Sequence, residues 1–236
     1  MPLAAARVGV RRAPFLPTQL TGLAVWLDAG QITGAVDNAA VATWQDRSGN
    51  ARDAVQVTAT KQPLYHNTGG LLTLSGRPYV QFDNVDDSMA GAISIANRAV
   101  TIISVMANFV NIYLRDSAAP IPGELETNFY YTRSADSVLS NVALTFTTAY
   151  DVYVGVGAAL GSATRAYTNG ALTGTSAVLS GTEPATTRYS INDDSQGAGN
   201  SGRVTRLAEF LVYNRVLTDP ERQQVEAYLK AKHGTP

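Results

Sequence analysis

The last stretch of the chain, RVTRLAEFLVYNRVLTDPERQQVEAYLKAKHG (203–234), constrains the fold most tightly. Ala208, Phe210 and Val212 alternate through Leu207–Tyr213, the pattern of a half-buried strand whose apolar residues share one face. Thr218 then opens T-D-P-E, in which Glu221 stands three residues after a threonine and completes a capping box. Pro220 falls in the first turn, where its missing N–H breaks no hydrogen bond. Val225, Tyr228 and Leu229 recur at helical spacing, and Gly234 supplies the stop. The spacing predicts a helix over 219–232 that follows a strand directly.

Such an ending needs a sheet to close on, and the rest of the chain is large enough to supply one. Its 236 residues suffice for one large all-β domain or two small ones. Hydrophobic residues make up 45% of it, with a mean hydropathy of −0.04, as expected of a globular protein with an ample core. The formal net charge of −1 gives no global field toward nucleic acid or an acidic membrane, so neither is an expected partner. Only 16% of residues are charged, so Ser, Thr, Asn and Gln must supply much of the polar surface. That suits a β-rich particle surface or a sugar-binding face. The absence of cysteine excludes disulfides, a thiolate metal site and a cysteine nucleophile, and fits synthesis in the cytoplasm. The longest apolar run, 99–107, is too short to span a bilayer. Arg7, Arg11 and Arg12 are not followed by the apolar stretch of a secretory signal.

Residues 1–20 read as an extended N-terminal arm. Pro2, Pro14 and Pro17 disfavour helix and sheet interior, and the three arginines solvate the stretch. Arg7, Arg11, Arg12 and Phe15 are its candidate assembly contacts, held by a neighbouring chain. From residue 21 to 236, β features dominate and no second linker interrupts them. Val100–Met106 is rich in β-branched residues, and Val152, Val154 and Val156 alternate through Asp151–Val156. RAYTNGAL (165–172) reads as a hairpin turning at Asn169-Gly170, a dipeptide that tolerates positive φ. NDDSQGAGNSGR (192–203) reads as a glycine-rich loop between strands. Many short strands, turns between them and one late helix imply a sandwich or barrel.

Four segments carry a family likeness: GLAVWLDAG (22–30), VATWQDRSGNARDAVQ (41–56), RPYVQFDNVDDSM (77–89) and AEFLVYNRVLTDPERQQVEAYLKAKHG (208–234), with YTNGAL (167–172) as a minor fifth. In that order they resemble the laminin-G-like, concanavalin A-like jelly-roll domains of the type found in bacteriophage virion proteins. The likeness covers roughly residues 21–234. It departs at Asn84, where the family often has glycine; asparagine also tolerates positive φ. The resemblance implies an all-β fold of two antiparallel sheets with one C-terminal helix. Function is not fixed by it, because such sandwiches bind glycans, bind proteins, hydrolyse polysaccharides or build particles.

The family's hydrolases place closely spaced carboxylates along one strand in an E-x-D-x-x-E pattern. That pattern is absent, and Glu124 and Glu126 stand alone with Phe at 129. Asp83, Asp86 and Asp87, near Asp46 in the family's order, offer oxygen ligands to Ca²⁺; the alternative is that Asp46 and Asp83 cap turns. Asp193 and Asp194 in the glycine-rich loop are a weaker ligand site. Gly155, Gly157 and Gly161 lack dinucleotide spacing, and His66 and His233 sit in no metal motif. Trp26 and Trp44 alternate with apolar neighbours and read as core. Phe129, Tyr130 and Tyr131 are consecutive, so a strand must place at least one of them away from the core, where tyrosines such as Tyr130 and Tyr131 serve sugar stacking or a protein interface.

The sequence therefore predicts a non-enzymatic virion subunit in capsid decoration, fibre or tail, assembled in the bacterial host cytoplasm. Its arm would anchor it to other virion subunits or to copies of itself, and its lectin-like sandwich would face outward. The alternative is a carbohydrate-binding module for host-surface or extracellular glycans. No cofactor is required under either reading, and Ca²⁺ is the metal that the aspartates could take.

Overall fold

The described residues form seventeen strands, the longer ones where β-branched and aromatic residues cluster. In chain order they are β1 (Leu23–Asp28), β2 (Ala39–Ala40), β3 (Thr43–Trp44), β4 (Ala54–Val55), β5 (Leu64–His66), β6 (Tyr79–Phe82), β7 (Met89–Ile95), β8 (Val100–Ala107) and β9 (Ile112–Arg115). Then come β10 (Gly123–Glu126), β11 (Phe129–Arg133), β12 (Leu139–Ala143), β13 (Asp151–Gly157), β14 (Ala163–Thr168), β15 (Ala171–Val178), β16 (Thr186–Ile191) and β17 (Thr205–Tyr213). One α-helix, α1 (Asp219–His233), follows. The computed structural model describes residues 13–67, 76–83, 85–96, 99–108, 112–115, 123–126, 129–133, 139–157, 161–178, 186–192 and 204–236; for 113, 115, 123–126, 129–133 and 139–141 it describes the backbone.

The strands pair antiparallel into two sheets. The first runs β15-β14-β13-β8-β17-β6-β5-β2, with β1 also on β17; the second runs β12-β11-β10-β9-β16-β7-β4-β3. This is the all-β, two-sheet sandwich with one C-terminal helix that the sequence implies. Between the sheets lies a core that includes Trp44, Phe82, Met89, Ile102, Tyr153, Tyr189 and Phe210. A second apolar cluster, with Trp26, Ile103, Val154, Tyr167, Leu211, Tyr213, Val225 and Leu229, fills the space between the first sheet and α1.

That second cluster changes the reading of the central strands. β8 and β13 are buried at every residue, and β17 at all but one, because α1 and residues 15–20 cover their outer face. A half-buried β17 was expected, and the covering helix removes its wet side. The face assignment also shifts by one residue. Phe210 and Val212 point into the inter-sheet core, while Ala208 joins the outer cluster. The cause is a β-bulge: Leu207 pairs with Met106 and Glu209 with Val105, so two residues of β17 oppose one of β8. A bulge re-aims a side chain, and here it turns Glu209 toward α1.

The local predictions hold. Asn169 and Gly170 both take positive φ, 50° and 87°, between β14 and β15. The helix opens on the Thr218/Glu221 capping box and ends on Gly234 in the left-handed region. Arg215 clamps Glu221 with two hydrogen bonds of 2.8 Å, tying the strand-to-helix turn to the first helical turn.

Candidate functional site

With α1 over the first sheet, the outer face of the second sheet is the surface that no helix covers among the described residues. Strand register sorts its residues. Val55 pairs with Ala90, Ala90 with Ser190, Ser190 with Tyr113, Tyr113 with Glu124, Glu124 with Tyr131 and Tyr131 with Asn141. Cross-strand partners share a face, and half-exposed Val55 marks this row as the outer one. The adjacent row runs through Tyr130, Leu125, Ile112 and Val142; Ile112 and Val142 are buried in the inter-sheet core. Tyr131 therefore lies at an outer position and Tyr130 at an inner one. Phe129 pairs with exposed Ala143 and joins Tyr131 on the outer face. Glu124 and Glu126 occupy that face too, two residues apart on β10.

A shallow groove of about 320 Å³ adjoins this row, lined by Ala90, Gly91, Ala92, Thr187 and Arg188. Register sets Arg188 opposite Ala92 on one side and Arg115 on the other. The small floor residues keep it open. Gly91 is forced by the layer beneath: a Cβ there would lie 2.5 Å from the Asp53 carbonyl and the Tyr189 ring. Neither the groove nor the row is visible as a local motif, because seven strands, spread from β4 to β16, contribute to them.

The aspartates behave differently from one another. Asp83, Asp86 and Asp87 bring one carboxylate oxygen each within 4.8 Å of the others. Asp83 Oδ1 accepts the backbone N–H groups of Val85, Asp86 and Asp87, and Asp87 Oδ2 accepts that of Asp83. Burial pushes the Asp87 carboxyl up to about 6, with Asp83 and Asp86 adding to the rise and the Asp83 N–H opposing it. Asp46 is not a member of this group. Its two oxygens accept Trp26 N, Ser48 N, Ser48 Oγ and Arg52 N, so it fastens the 46–52 loop to β1 instead. Asp46 thus takes the turn-capping role, the alternative to a metal ligand, and lies outside the cluster of the other three. Asp193, Asp194, Arg7, Arg11 and Arg12 lie outside the described residues. Phe15 packs edge-on against Tyr228 of α1, and Tyr213 donates to the Pro17 carbonyl, so residues 15–17 are held by their own sandwich. Trp44 is buried between the sheets and Trp26 beneath the helix, which removes both from a sugar's reach.

Sequence reasoning missed a second assembly, beneath α1. Asp28 on β1 and Glu209 on β17 are direct cross-strand partners. Asp28 is 2% exposed and Glu209 0%. Lys232 from the last helical turn reaches both, at 2.5 Å and 2.7 Å. Glu209 also meets His233 Nε2 at 2.6 Å and accepts the Trp26 indole N–H at 2.6 Å. Burial opposes charge on Glu209, but His233 and Lys232 outweigh it and hold its carboxyl low. For Asp28, burial and the facing Glu209 win over Lys232 and raise it. Burial also disfavours the Lys232 ammonium, yet the two carboxylates raise it above the usual lysine range.

The fold has solved counterparts. The binding domain of Paraclostridial Mosquitocidal Protein 1 superposes with a TM-score of 0.60 at 12% identity, over 88% of this chain and 52% of that one. The ligand-binding domain of botulinum neurotoxin serotype D, solved with N-acetylneuraminic acid, gives 0.56 at 9% identity, over 88% and 51%. Trypanosoma rangeli sialidase in complex with sialic acid gives 0.56 at 15% identity, over 94% and 36%. This chain thus spans from about a third to half the length of those it matches, and at such identities the likeness is one of fold. No protein-family model matches the sequence, and no curated protein matches it.

Proposed function

We propose that the chain is a non-enzymatic carbohydrate-binding module that takes a glycan across the outer face of its second sheet. The observation that carries this reading is the outer register row, in which Tyr113 and Tyr131 alternate with Glu124 and Asn141 beside the groove floored by Ala90, Gly91 and Ala92. Tyrosine gives a flat apolar face for the C–H side of a pyranose, and asparagine and glutamate give partners for its hydroxyls. The fold shared with a neurotoxin domain solved with N-acetylneuraminic acid supports a glycan as ligand. The missing E-x-D-x-x-E pattern supports binding without turnover. Neither reading of the aspartates makes Ca²⁺ a requirement.

The same reading takes its setting from the family resemblance: a virion subunit, assembled in the host cytoplasm and held to neighbouring subunits by residues 1–12 with their three arginines. Incorporation of a chain lacking residues 2–12 into particles at the normal level would remove that setting and leave the module reading intact. The module itself is tested by a glycan array with and without Ca²⁺, followed by titration calorimetry on any hit. Tyr131→Ala is expected to weaken binding about tenfold, a loss of ~1.4 kcal/mol. An array without hits in either condition ends the proposal.

A further inference from the structure

The assembly beneath α1 contains more than an ion pair needs. A single lysine would be neutralised by one carboxylate, yet Lys232 Nζ sits between two, on strands that face each other in register. Both carboxylates are withdrawn from water, while the lysine side chain is 22% exposed. Aromatic rings surround the amine: the Trp26 ring centroid is 5.9 Å away and that of Tyr228 5.4 Å. An amine held in contact with a carboxyl group in a water-poor, aromatic site is the arrangement from which an amide forms.

We propose that Lys232 Nζ and the Asp28 carboxyl condense into an intramolecular isopeptide bond that ties α1 covalently to β1. Each group has a part in the step. Glu209, 2.7 Å from Nζ, accepts the proton that the neutral amine nitrogen sheds as it bonds to carbon. Asp28 is the electrophile, and its elevated carboxyl favours the protonated form that can lose its hydroxyl. The ionised pair is the resting state, since the carboxylates favour the ammonium; reaction proceeds from the neutral pair, which a low-dielectric site brings closer in energy. Nζ attacks Asp28 Cγ, and the C=O electrons move onto Oδ1, which already accepts the Gly30 N–H at 2.9 Å. Glu209 returns its proton to Oδ2, the C–O bond breaks and water leaves. One carboxylic acid and one amine give one amide and one water, nothing is oxidised or reduced, and Glu209 is regenerated. His233 Nε2 and Trp26 Nε1, each 2.6 Å from a Glu209 oxygen, act as positioning groups. A cavity of about 120 Å³, which Asp28 lines together with Gln31, Thr43 and Gln45 among others, would give the water an outlet. The bond would join residues 204 positions apart and close nearly the whole sandwich into a covalent ring.

Intact-mass spectrometry of the full folded chain decides the matter. The expected mass is lighter than the sequence mass by one water, and a tryptic digest should yield a branched peptide joining Asp28 to Lys232. Lys232→Arg keeps the positive charge but cannot form the bond, so it should return to its full sequence mass. Glu209→Gln should do so too, or convert far more slowly. Asp28→Asn should lose one ammonia instead of one water. A wild-type chain at full sequence mass after prolonged incubation in the folded state overturns the proposal, and that readout depends on no variant folding. A deficit of one water that persists in Lys232→Arg overturns it as well, because the dehydration would then lie elsewhere.

Discussion

Asp87 shows how one carboxylate can serve a loop and strain it at once. Its Oδ2 accepts the Asp83 N–H and so helps close the 83–87 turn, but burial lifts its carboxyl to about 6 against an ordinary 3.8. The sign follows from linkage: the native state takes up the proton before the unfolded chain does as pH falls. Above about pH 6 the desolvated carboxylate therefore destabilises the fold; between about 6 and 3.8 that penalty is relieved, so this group's contribution improves with acidity. Asp87→Asn keeps an acceptor for the Asp83 N–H and removes the charge. It is expected to raise stability at pH 7.5 by about 1–2 kcal/mol, and to leave a smaller difference from wild type at pH 4.5, measured by urea unfolding at both values. Ca²⁺ binding to the Asp83, Asp86 and Asp87 carboxylates would do the opposite to the wild type, favouring the ionised form and stabilising it at neutral pH. The same titrations run with and without Ca²⁺ separate a turn from a metal site.

At the scale of the element, α1 was legible because its signals are local. Thr218, Glu221 and Gly234 act on backbone groups within a turn of themselves, and the observed Asp219–His233 differs from the expected helix by one residue. The Asn169-Gly170 hairpin was legible for the same reason. β17 was less so: alternation gave the strand, but the bulge at Ala208 and Glu209 arises from pairing with β8, a strand a hundred residues earlier, and no period within 207–213 announces it. Tyr130 and Tyr131 could not be told apart until β10 and β12 fixed the register. Glu221 carries the testable consequence for α1. Its carboxyl is held down at about 2, chiefly by Arg215 and then by the Thr218 N–H. A depressed carboxylate contributes stability that is present above its unfolded value near 4.5 and fades as pH falls toward 2. Glu221→Gln is expected to cost about 1 kcal/mol at pH 7, discounted because the pair is partly solvated. The deficit should shrink at pH 3 in matched urea melts, and an equal deficit at both values would mean that packing, not charge, is responsible.

The whole molecule is organised around β17, which pairs with β1, β6 and β8 and contributes to both apolar clusters. Phe210 and Val212 belong to the inter-sheet core, and Leu211 and Tyr213 to the layer under α1. The class of fold was readable from strand pattern and motif order. The Asp28, Glu209, Lys232 and His233 assembly was not, since it joins β1 to residues roughly 180–200 positions later in the sequence, a separation with no local spacing to read. One consequence concerns cooperativity. If both clusters hang on one strand, the helix layer cannot melt while the inter-sheet core persists, since exposing Leu211 and Tyr213 strips apolar cover from a strand whose other face is still packed. The two tryptophans report on the two layers separately, Trp44 from between the sheets and Trp26 from beneath the helix. Trp26→Phe leaves Trp44 as the only indole, and Trp44→Phe leaves Trp26. Trp26→Phe also deletes the donor to Glu209, so it should lower the midpoint more than Trp44→Phe, whose indole N–H has no partner among the described residues. Within each variant, however, the fluorescence transition in guanidinium is expected to coincide with that of far-ultraviolet circular dichroism. A Trp26 signal that changes at lower denaturant than the dichroism of the same protein would mean that α1 detaches first, and that β17 does not couple the two layers.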